Sequence, residues 1–253
     1  MTYILEHKEE AQRLELQKEI KAYSISTELF NVDINNKVIL DAGCGGGDVS
    51  DYLISESRGS EIHGCDQSDL RVAHAKKKNR LGKFFTSPLE NIEAKDNSYD
   101  LVICRYVFEY LQNPTAVLRE FKRVCKKDGE IIVIDLDGVF KNLYTPNEKF
   151  NSDLSSLISK LDVDLDVGRK LSSYFYNAEV EITDVKMEAF YFQDDELSLE
   201  KNNSKMRLNA NKQDLYKYFG KTKGDEFIHN YLLLMDHHGS SMFFNKFIVK
   251  GRG

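Results

Sequence analysis

The stretch KVILDAGCGGGDVSDYL, from Lys37 to Leu53, decides the fold. A β-branched apolar run ends at Asp41, glycines follow at positions 43, 45 and 47, and helical spacing begins after them. Glycines let the backbone turn tightly and let a ligand lie against bare main chain. The first turn of a helix then offers free N–H groups. The stretch predicts a strand, a ligand-binding turn and a helix from about Gly47 to Ser57.

Short apolar runs and helical patterns continue to alternate after this unit. Four further strands are predicted at EIHGCD (61–66), KFFTS (83–87), YDLVICR (99–105) and EIIVID (130–135). Helices are predicted in SDLRVAHAKKKNR, with Ser68 as N-cap, and in NPTAVLREFKRVCKKDG, with Pro114 in the first turn and Gly129 just past the end. Strands that alternate with crossover helices indicate βαβ units and a doubly wound α/β sheet.

The pattern changes after Leu136, where most of the chain becomes helical and polar. We expect helical cap insertions over 141–178 and 194–240, and antiparallel strands over 179–193 and 241–251 because these segments alternate apolar and polar residues. The expected organisation is a single domain over 1–253. Its other parts are N-terminal lid helices (1–35) and a ligand-binding core (36–140). The predicted architecture is a seven-stranded mixed sheet with helical lid insertions over the carboxyl ends of the strands, where open α/β sheets bind ligands.

The glycine turn could hold a dinucleotide or a different adenosine ligand. A dinucleotide turn has the pattern G-x-G-x-x-G, and counting from Gly43 places Asp48 where the third glycine belongs. An acid at the helix mouth opposes a pyrophosphate and favours a ligand with positive charge. Asp66 ends the second strand, where a carboxylate accepts hydrogen bonds from ribose hydroxyls. An adenosine with a cation and without phosphate is S-adenosylmethionine.

Composition restricts the partners and the compartment. The 253 residues include 35 basic and 41 acidic side chains, a formal charge of −6, so nucleic acid is not expected as a partner. The N-terminus is charged almost from the start, so we expect neither a signal peptide nor membrane association. The four cysteines occur singly, which favours reduced thiols and a cytoplasmic protein over a disulfide framework. A monomer and a homodimer both remain open.

At this point the sequence resembles the class I S-adenosylmethionine-dependent methyltransferases of the bacterial small-molecule type. VILDAGCGGG (38–47) resembles their first motif, IHGCDQS (62–68) their second, and residues 94–135 the region after that motif. The resemblance implies that Asp41, Gly43, Cys44 and Gly45 hold the amino-acid end of the cofactor. It further implies that Asp66 binds the ribose and Gln67 flanks the adenine. YILEHKEEAQRLELQ is similar to their N-terminal helix, which implies cofactor or lid contacts for Tyr3, Arg13 and Gln17; an ordinary amphipathic helix is the alternative.

The chain departs from the family pattern at two places. The residue expected to bind the adenine amine aligns with Pro88, so Ser87 or the backbone N–H of Leu89 must substitute for it. Where many relatives have Glu-His, this chain has FEYL, and Tyr110 supplies no imidazole base. No catalytic base is therefore assigned.

Candidates for acceptor contacts lie after the fourth and fifth strands and in the last insertion. Arg105 and Tyr106 are expected beside the transferable methyl group, with Arg105 also a cofactor contact, and Phe140 and Tyr144 in the acceptor pocket. His229, His237 and His238 could include a base, or could belong to a polar helix end. No metal site is expected, because adjacent residues such as those of MDHH rarely converge on one ion.

The predicted function is transfer of a methyl group to an O, N or C nucleophile of a small molecule, with S-adenosylhomocysteine as product. Such an in-line displacement needs alignment and exclusion of water more than a catalytic side chain. The alternatives are a methyltransferase acting on tRNA, rRNA or protein, and a protein that binds the cofactor without transferring the methyl group.

Overall fold

The computed structural model describes residues 20–160, 163–210 and 212–253. These residues group into two compact units. We call the first the core unit, which comprises 25–137, 166–188 and 246–253. The second unit comprises the described residues of 20–24, 138–165 and 189–245.

The described residues form eight strands and nine α-helices. The strands are β1 (Val38–Ala42), β2 (Glu61–Asp66), β3 (Lys83–Thr86), β4 (Tyr99–Arg105), β5 (Cys125–Asp137), β6 (Leu143–Tyr144), β7 (Glu181–Phe192) and β8 (Ser241–Arg252). The helices are α1 (Ile25–Glu28), α2 (Asp48–Glu56), α3 (Asp69–Lys78), α4 (Pro114–Val124), α5 (Glu148–Ile158), α6 (Leu171–Asn177), α7 (Asp194–Ala210), α8 (Lys212–Phe219) and α9 (Lys221–Met235).

Strands β1 to β5 form a parallel sheet in the order β3-β2-β1-β4-β5. Asp41 pairs with Gly64 on one side of β1 and with Ile103 on the other. The carboxyl ends of β1, β2 and β4 therefore meet at one edge of the sheet, and each of the five predicted strands is confirmed.

The strand β8 makes the sheet mixed. The N–H of Gly253, just after β8, donates to the carbonyl of Gly129 near the start of β5. Nearer the start of β8, Lys246 contacts Glu28. Glu28 also binds Arg105, which lies at the carboxyl end of β4. Hence β8 runs against β5, and the full order continues as β5-β8-β6, with β7 also paired to β8. The predicted doubly wound mixed sheet is confirmed. The sheet has eight strands among the described residues, because the two-residue β6 joins seven longer ones.

Local sequence explains where the core helices begin. The side chain of Ser68 accepts a hydrogen bond from the N–H of Arg71 at the start of α3, which confirms the predicted cap. The side chain of Asn113 does the same for Ala116 in α4, where Pro114 supplies a preset φ at the first position.

The predicted end of α4 at Gly129 is wrong. The helix stops at Val124, and Cys125 already pairs with Tyr99 in the sheet. Gly129 instead lies inside β5, where a Cβ would come within 2.6 Å of the Cys125 sulfur. Close packing requires this glycine, and the helix ends because β-sheet pairing begins.

Each face of the core sheet is covered by an apolar cluster. One cluster joins β4 and β5 to α4 and α6 through fully buried side chains such as Val102, Phe121 and Phe175. The other contains Leu53 of α2 and residues of the opposite sheet face, such as Ile39 and Ile103. A sheet buried on both faces explains why its strands are continuous apolar runs.

The second unit contains α5, α7, α8 and α9 together with β6. Its interior includes an aromatic group in which Phe140 stacks on Tyr231 and Phe150 stacks on Phe227.

No helix among the described residues combines the length and apolar character that crossing a membrane requires.

Candidate functional site

Three alternating glycines in the loop between β1 and α2 have left-handed backbone conformations. The φ angles of Gly43, Gly45 and Gly47 are +76°, +51° and +88°. The N–H groups of Gly43 and Cys44 both donate to the carbonyl of Cys65 at the end of β2, at 2.8 and 2.9 Å. The loop is thereby fixed against the end of the neighbouring strand.

Close packing adds a second reason for glycine at position 43. A Cβ on Gly43 would lie 2.6 Å from Cγ2 of Val107, in the segment that follows β4. The loop after β1 and the segment after β4 therefore approach each other more closely than a side chain would allow.

Asp66 joins the glycine loop to the end of β2. One of its carboxylate oxygens accepts the Gly45 N–H at 3.0 Å, and the other accepts the Ser68 N–H at 2.9 Å. The side chain lies almost buried, with 9% of the residue exposed. A carboxylate has about four acceptor positions, so these two bonds leave it able to accept hydrogen bonds from a diol.

Asp41 lies behind the loop. It is 1% exposed, and one carboxylate oxygen accepts both the N–H of Ser50, at 2.9 Å, and its hydroxyl, at 2.6 Å. Burial raises the pKa of Asp41 to about 7, against the lowering effect of the Ser50 hydrogen bonds. The geometry makes Asp41 a residue that ties the end of β1 to α2.

The acid at the mouth of α2 has a partner that the sequence did not indicate. Lys78 at the end of α3 contacts Asp48 at 2.6 Å and Asp51 at 3.6 Å. Lys78 therefore offsets part of the negative charge that was expected to oppose a pyrophosphate. The two acids that share this lysine keep the first turn of α2 acidic.

The segment after β3 is held by hydrogen bonds within its own loop. The Ser87 hydroxyl contacts the carbonyls of Pro88 and Asn91 and accepts the N–H of Glu93 at 3.0 Å. Leu89 is buried in the core, whereas Pro88 and Gln67 are exposed. These contacts use the Ser87 hydroxyl within the loop.

Arg105 and Tyr106, at the carboxyl end of β4, both bind Glu28 of α1. The Arg105 Nε donates to Glu28 at 2.6 Å, and the Tyr106 hydroxyl donates at 2.8 Å. The guanidinium also lies 4.0 Å from the centre of the Tyr106 ring. Tyr106 has a φ of +58°, a strained conformation for a residue with a side chain.

The backbone on both sides of Tyr106 is fixed. The N–H of Tyr106 donates to the carbonyl of Ile134, and the N–H of Phe108 donates to the buried carboxylate of Asp135, each at 2.8 Å. Burial raises the pKa of Asp135 well above its ordinary value. These bonds hold the strained turn beside the glycine loop.

A buried lysine completes the group around Glu28. Lys246 of β8 is fully buried and contacts Glu28 at 3.1 Å and Glu188 of β7 at 3.2 Å. Burial would raise the pKa of Glu28, but the charges and hydrogen bonds of Arg105 and Lys246 hold it below the ordinary value. The carboxylate of Glu28 therefore stays ionised, with each of these donors bound to it.

The remaining predicted site residues belong to the second unit or fall outside the described residues. Four of them belong to the second unit: Phe140 is buried, Tyr144 is 61% exposed, and His229 and His238 are exposed, with His238 3.6 Å from Asp194. Tyr3, Arg13 and Gln17 lie outside the described residues. Among the described residues no group of three or more His, Cys, Asp or Glu is placed to hold a metal ion.

Sequence reasoning missed Glu28 and Lys246. Glu28 has no pattern that distinguishes it from an exposed helical acid. Lys246, however, shares the sequence register of Met242, Phe244 and Ile248 in β8, which are all buried. A lysine at an inward position of an alternating strand predicts a buried acidic partner, and this signal could have found the group.

Comparison with known proteins finds similarity over the glycine turn and the strands around it. Residues 40–133 match the family described as methyltransferase domain. The chain is 30% identical over 105 residues to demethylmenaquinone methyltransferase of Thermotoga maritima, a match that covers 42% of this chain and 46% of the relative. It is 30% identical over 106 residues to ubiquinone biosynthesis O-methyltransferase of Sodalis glossinidius, over 40% of this chain and 42% of the relative. The matched stretch spans less than half of the length of either relative.

Solved structures extend the likeness in fold to nearly the whole chain. Geranyl diphosphate C-methyltransferase of Streptomyces coelicolor, solved with S-adenosyl-L-homocysteine, superposes with a TM-score of 0.56 at 12% identity. This match covers 97% of the present chain and 86% of the other. At this identity the likeness concerns the fold.

Proposed function

We propose, from the match of residues 40–133 to the methyltransferase-domain family, that the protein transfers a methyl group from S-adenosylmethionine to a small molecule. The acceptor atom is an oxygen, nitrogen or carbon nucleophile. One observation supports the proposal most directly. The Asp66 carboxylate accepts hydrogen bonds from the N–H groups of Gly45 and Ser68 and keeps acceptor positions for a ligand.

The cofactor fits the residues present at this edge. Asp66 would accept hydrogen bonds from the ribose, and the backbone of Gly43, Cys44 and Gly45 would hold the amino-acid end. Two of these three residues have φ angles that favour glycine, so the main chain there is bare. Asp41 supports the turn from behind through Ser50.

The adenine is proposed to lie beside Gln67 and the segment 87–89. Because the Ser87 hydroxyl is bound within its loop, the backbone N–H of Leu89 is the better candidate for a ring nitrogen. Pro88 is exposed beside it and offers an apolar surface.

When bound, S-adenosylmethionine supplies a methyl group on a positively charged sulfur. The protein's own task is to orient the acceptor and exclude water. We propose that the segment Arg105–Tyr106 does this, because Glu28 fixes both side chains at the end of β4. No side chain is assigned as a base, and Phe140, Tyr144, His229 and His238 stay predictions for the acceptor side.

The relatives suggest the acceptor class. The two curated relatives have names that refer to demethylmenaquinone and to ubiquinone biosynthesis, and the structural neighbour's name refers to geranyl diphosphate. Each name refers to a small organic molecule, which is the acceptor class that we propose here. The buried thiols of all four cysteines fit a reducing compartment such as the cytoplasm.

Calorimetric titration with S-adenosylhomocysteine, repeated with NAD, tests the proposal. We expect micromolar affinity for the first and no heat from the second. Binding of NAD without S-adenosylhomocysteine would overturn the assignment of the glycine turn. Transfer of a radiolabelled methyl group to a panel of quinols, phenols and amines then tests the acceptor class.

A further inference from the structure

The strand β7 lies at an edge of the sheet that the described residues form. Within the core unit it pairs with β8, as shown by contacts of Glu181 with Arg252 at 3.7 Å and of Glu188 with Lys246 at 3.2 Å. In the part of the chain that the structure describes, β7 pairs with no strand other than β8. Among the described strands, the backbone groups of its second edge therefore have no strand partner.

The middle of β7 is exposed on both faces. Residues 183–187 are all exposed, and two of them are large apolar side chains, Val185 at 47% and Met187 at 56%. An open edge with exposed apolar side chains is a template for pairing with another strand. Native edge strands are usually short, covered or bulged, and β7 is twelve residues long.

The charges along β7 are complementary to those of a second copy. Alternation places Asp184, Lys186 and Glu188 on one face and Val185 and Met187 on the other. In an antiparallel pair centred on Val185, Asp184 opposes Lys186 of the partner subunit. The two-fold axis repeats this contact, so Lys186 also opposes Asp184 of the partner subunit. Centring the pair on Asp184 or on Lys186 would oppose like charges, which is destabilising.

A pair centred on Met187 would match Lys186 with Glu188. Glu188, however, already contacts Lys246 at 3.2 Å and Lys186 of its own strand at 2.6 Å, so this register would give it a third lysine. In the pair centred on Val185, Lys186 keeps its contact with Glu188 and gains a second acid, Asp184 of the partner subunit. We propose that a second copy of this chain adds its β7 to the edge of β7 in antiparallel orientation, with the two-fold axis at Val185. The result is a continuous sheet across a homodimer.

The size of the contact sets its expected strength. Strand addition gains affinity mainly from main-chain hydrogen bonds, and a single strand pair falls short of the roughly 1,200 Å² that stable interfaces bury. We therefore expect a concentration-dependent dimer, visible as a rise in mass by light scattering as the protein concentration increases. A constant monomer mass at every concentration would leave the edge to a different partner and would overturn the proposal.

Cysteine cross-linking tests the register. In the pair proposed, the two copies of residue 185 face each other at a Cα separation of about 4.5–5.5 Å, within disulfide range. The copies of residue 187 lie about 13 Å apart along the strands. The four native cysteines are buried, so an introduced thiol at the edge is the accessible one.

With copper phenanthroline as oxidant, two thiols lose their protons and two electrons and form the disulfide. We expect V185C to cross-link into a dimer and M187C to stay monomeric on a non-reducing gel. Random collision would favour M187C at least equally, because Met187 is the more exposed of the two. Cross-linking of M187C in preference to V185C would overturn the register.

A charge exchange provides a second, independent readout. D184K places a lysine opposite Lys186 of the partner subunit and should weaken the dimer about tenfold or more. The double variant D184K/K186D restores opposite charges and should recover the wild-type dissociation constant. An unchanged dimer in D184K would place the interface elsewhere and overturn the proposal.

Discussion

Glu28 and Arg105 form a buried ion pair, with the Arg105 Nε 2.6 Å from the Glu28 carboxylate, although the two residues are far apart in sequence. Neither the side chain of Glu28, at 0% exposure, nor that of Arg105, at 11%, is well hydrated. Lys246 and the Tyr106 hydroxyl bind the same carboxylate. A buried charge of this kind is tolerated only with full pairing, so the group fixes the end of β4 against α1 and β8.

Removing the charge of Glu28 should destabilise the fold strongly. E28Q removes the negative charge that Arg105 and Lys246 share, which leaves Lys246 its contact with Glu188, and breaking a buried pair costs about 3–5 kcal/mol. Urea unfolding followed by circular dichroism measures the loss. The matched control is D153N, because Asp153 pairs with exposed Lys149 at 2.6 Å; it should cost under about 1 kcal/mol. Equal losses in the two variants would show that burial does not strengthen the pairing of Glu28.

Asp66 should matter for cofactor affinity. D66N keeps the side-chain shape but replaces an ionised acceptor, and hydrogen bonds to charged groups contribute about 1.5–3 kcal/mol. We therefore expect S-adenosylhomocysteine to bind at least about tenfold more weakly in calorimetry. The control is D69N, since Asp69 is exposed and binds the Thr86 hydroxyl; its affinity should match the wild type. Unaltered binding by D66N would remove Asp66 from the proposed ribose site.

Gly43 and Gly220 separate backbone strain from close packing. Both have positive φ angles, +76° and +73°, but a Cβ at Gly43 meets Val107 at 2.6 Å, whereas one at Gly220 meets nothing within 4 Å. G220A should cost about 1–3 kcal/mol from strain alone, because Gly220 combines its positive φ with a ψ of 164°. G43A should add about 1–3 kcal/mol of overpacking and should also weaken S-adenosylhomocysteine binding. Thermal unfolding and calorimetry measure both effects, and equal unfolding losses would exclude the packing contribution.

Asp41 should make stability depend on pH. Its pKa is about 7 in the folded protein against an ordinary value of 3.8, chiefly through burial. The folded state therefore holds the proton more tightly, and this contribution is complete below pH 3.8 and lost as the pH rises through about 7. Inside that window the loss is on the order of 1 kcal/mol per pH unit.

D41N removes the titration while it keeps an acceptor for Ser50. The unfolding free energy of the wild type should fall relative to D41N as the pH rises through the window. Asp128 is exposed, so the unfolding free energy of D128N should change with pH as that of the wild type does. Parallel curves for wild type and D41N would show that Asp41 ionises normally in the folded state.

The sequence by itself determined the elements and the nature of the turn. Apolar runs that end in Asp41 and Asp66 fix two parallel strands, and alternating glycines after Asp41 fix the turn, because these are local requirements of backbone geometry. The cap at Ser68 is equally local. The end of α4 is not a local property. Cys125 pairs with Tyr99 in the sheet, and this long-range contact ends the helix before Gly129.

Only the tertiary structure decided which charges meet. Lys78 reaches Asp48 from another helix, and Glu28, Arg105 and Lys246 come from three separate parts of the chain. The strength of such contacts depends on burial and distance, which residue types alone do not specify. The open edge of β7 is likewise a property of strand order, because alternation predicts a strand but not which of its edges stays unpaired.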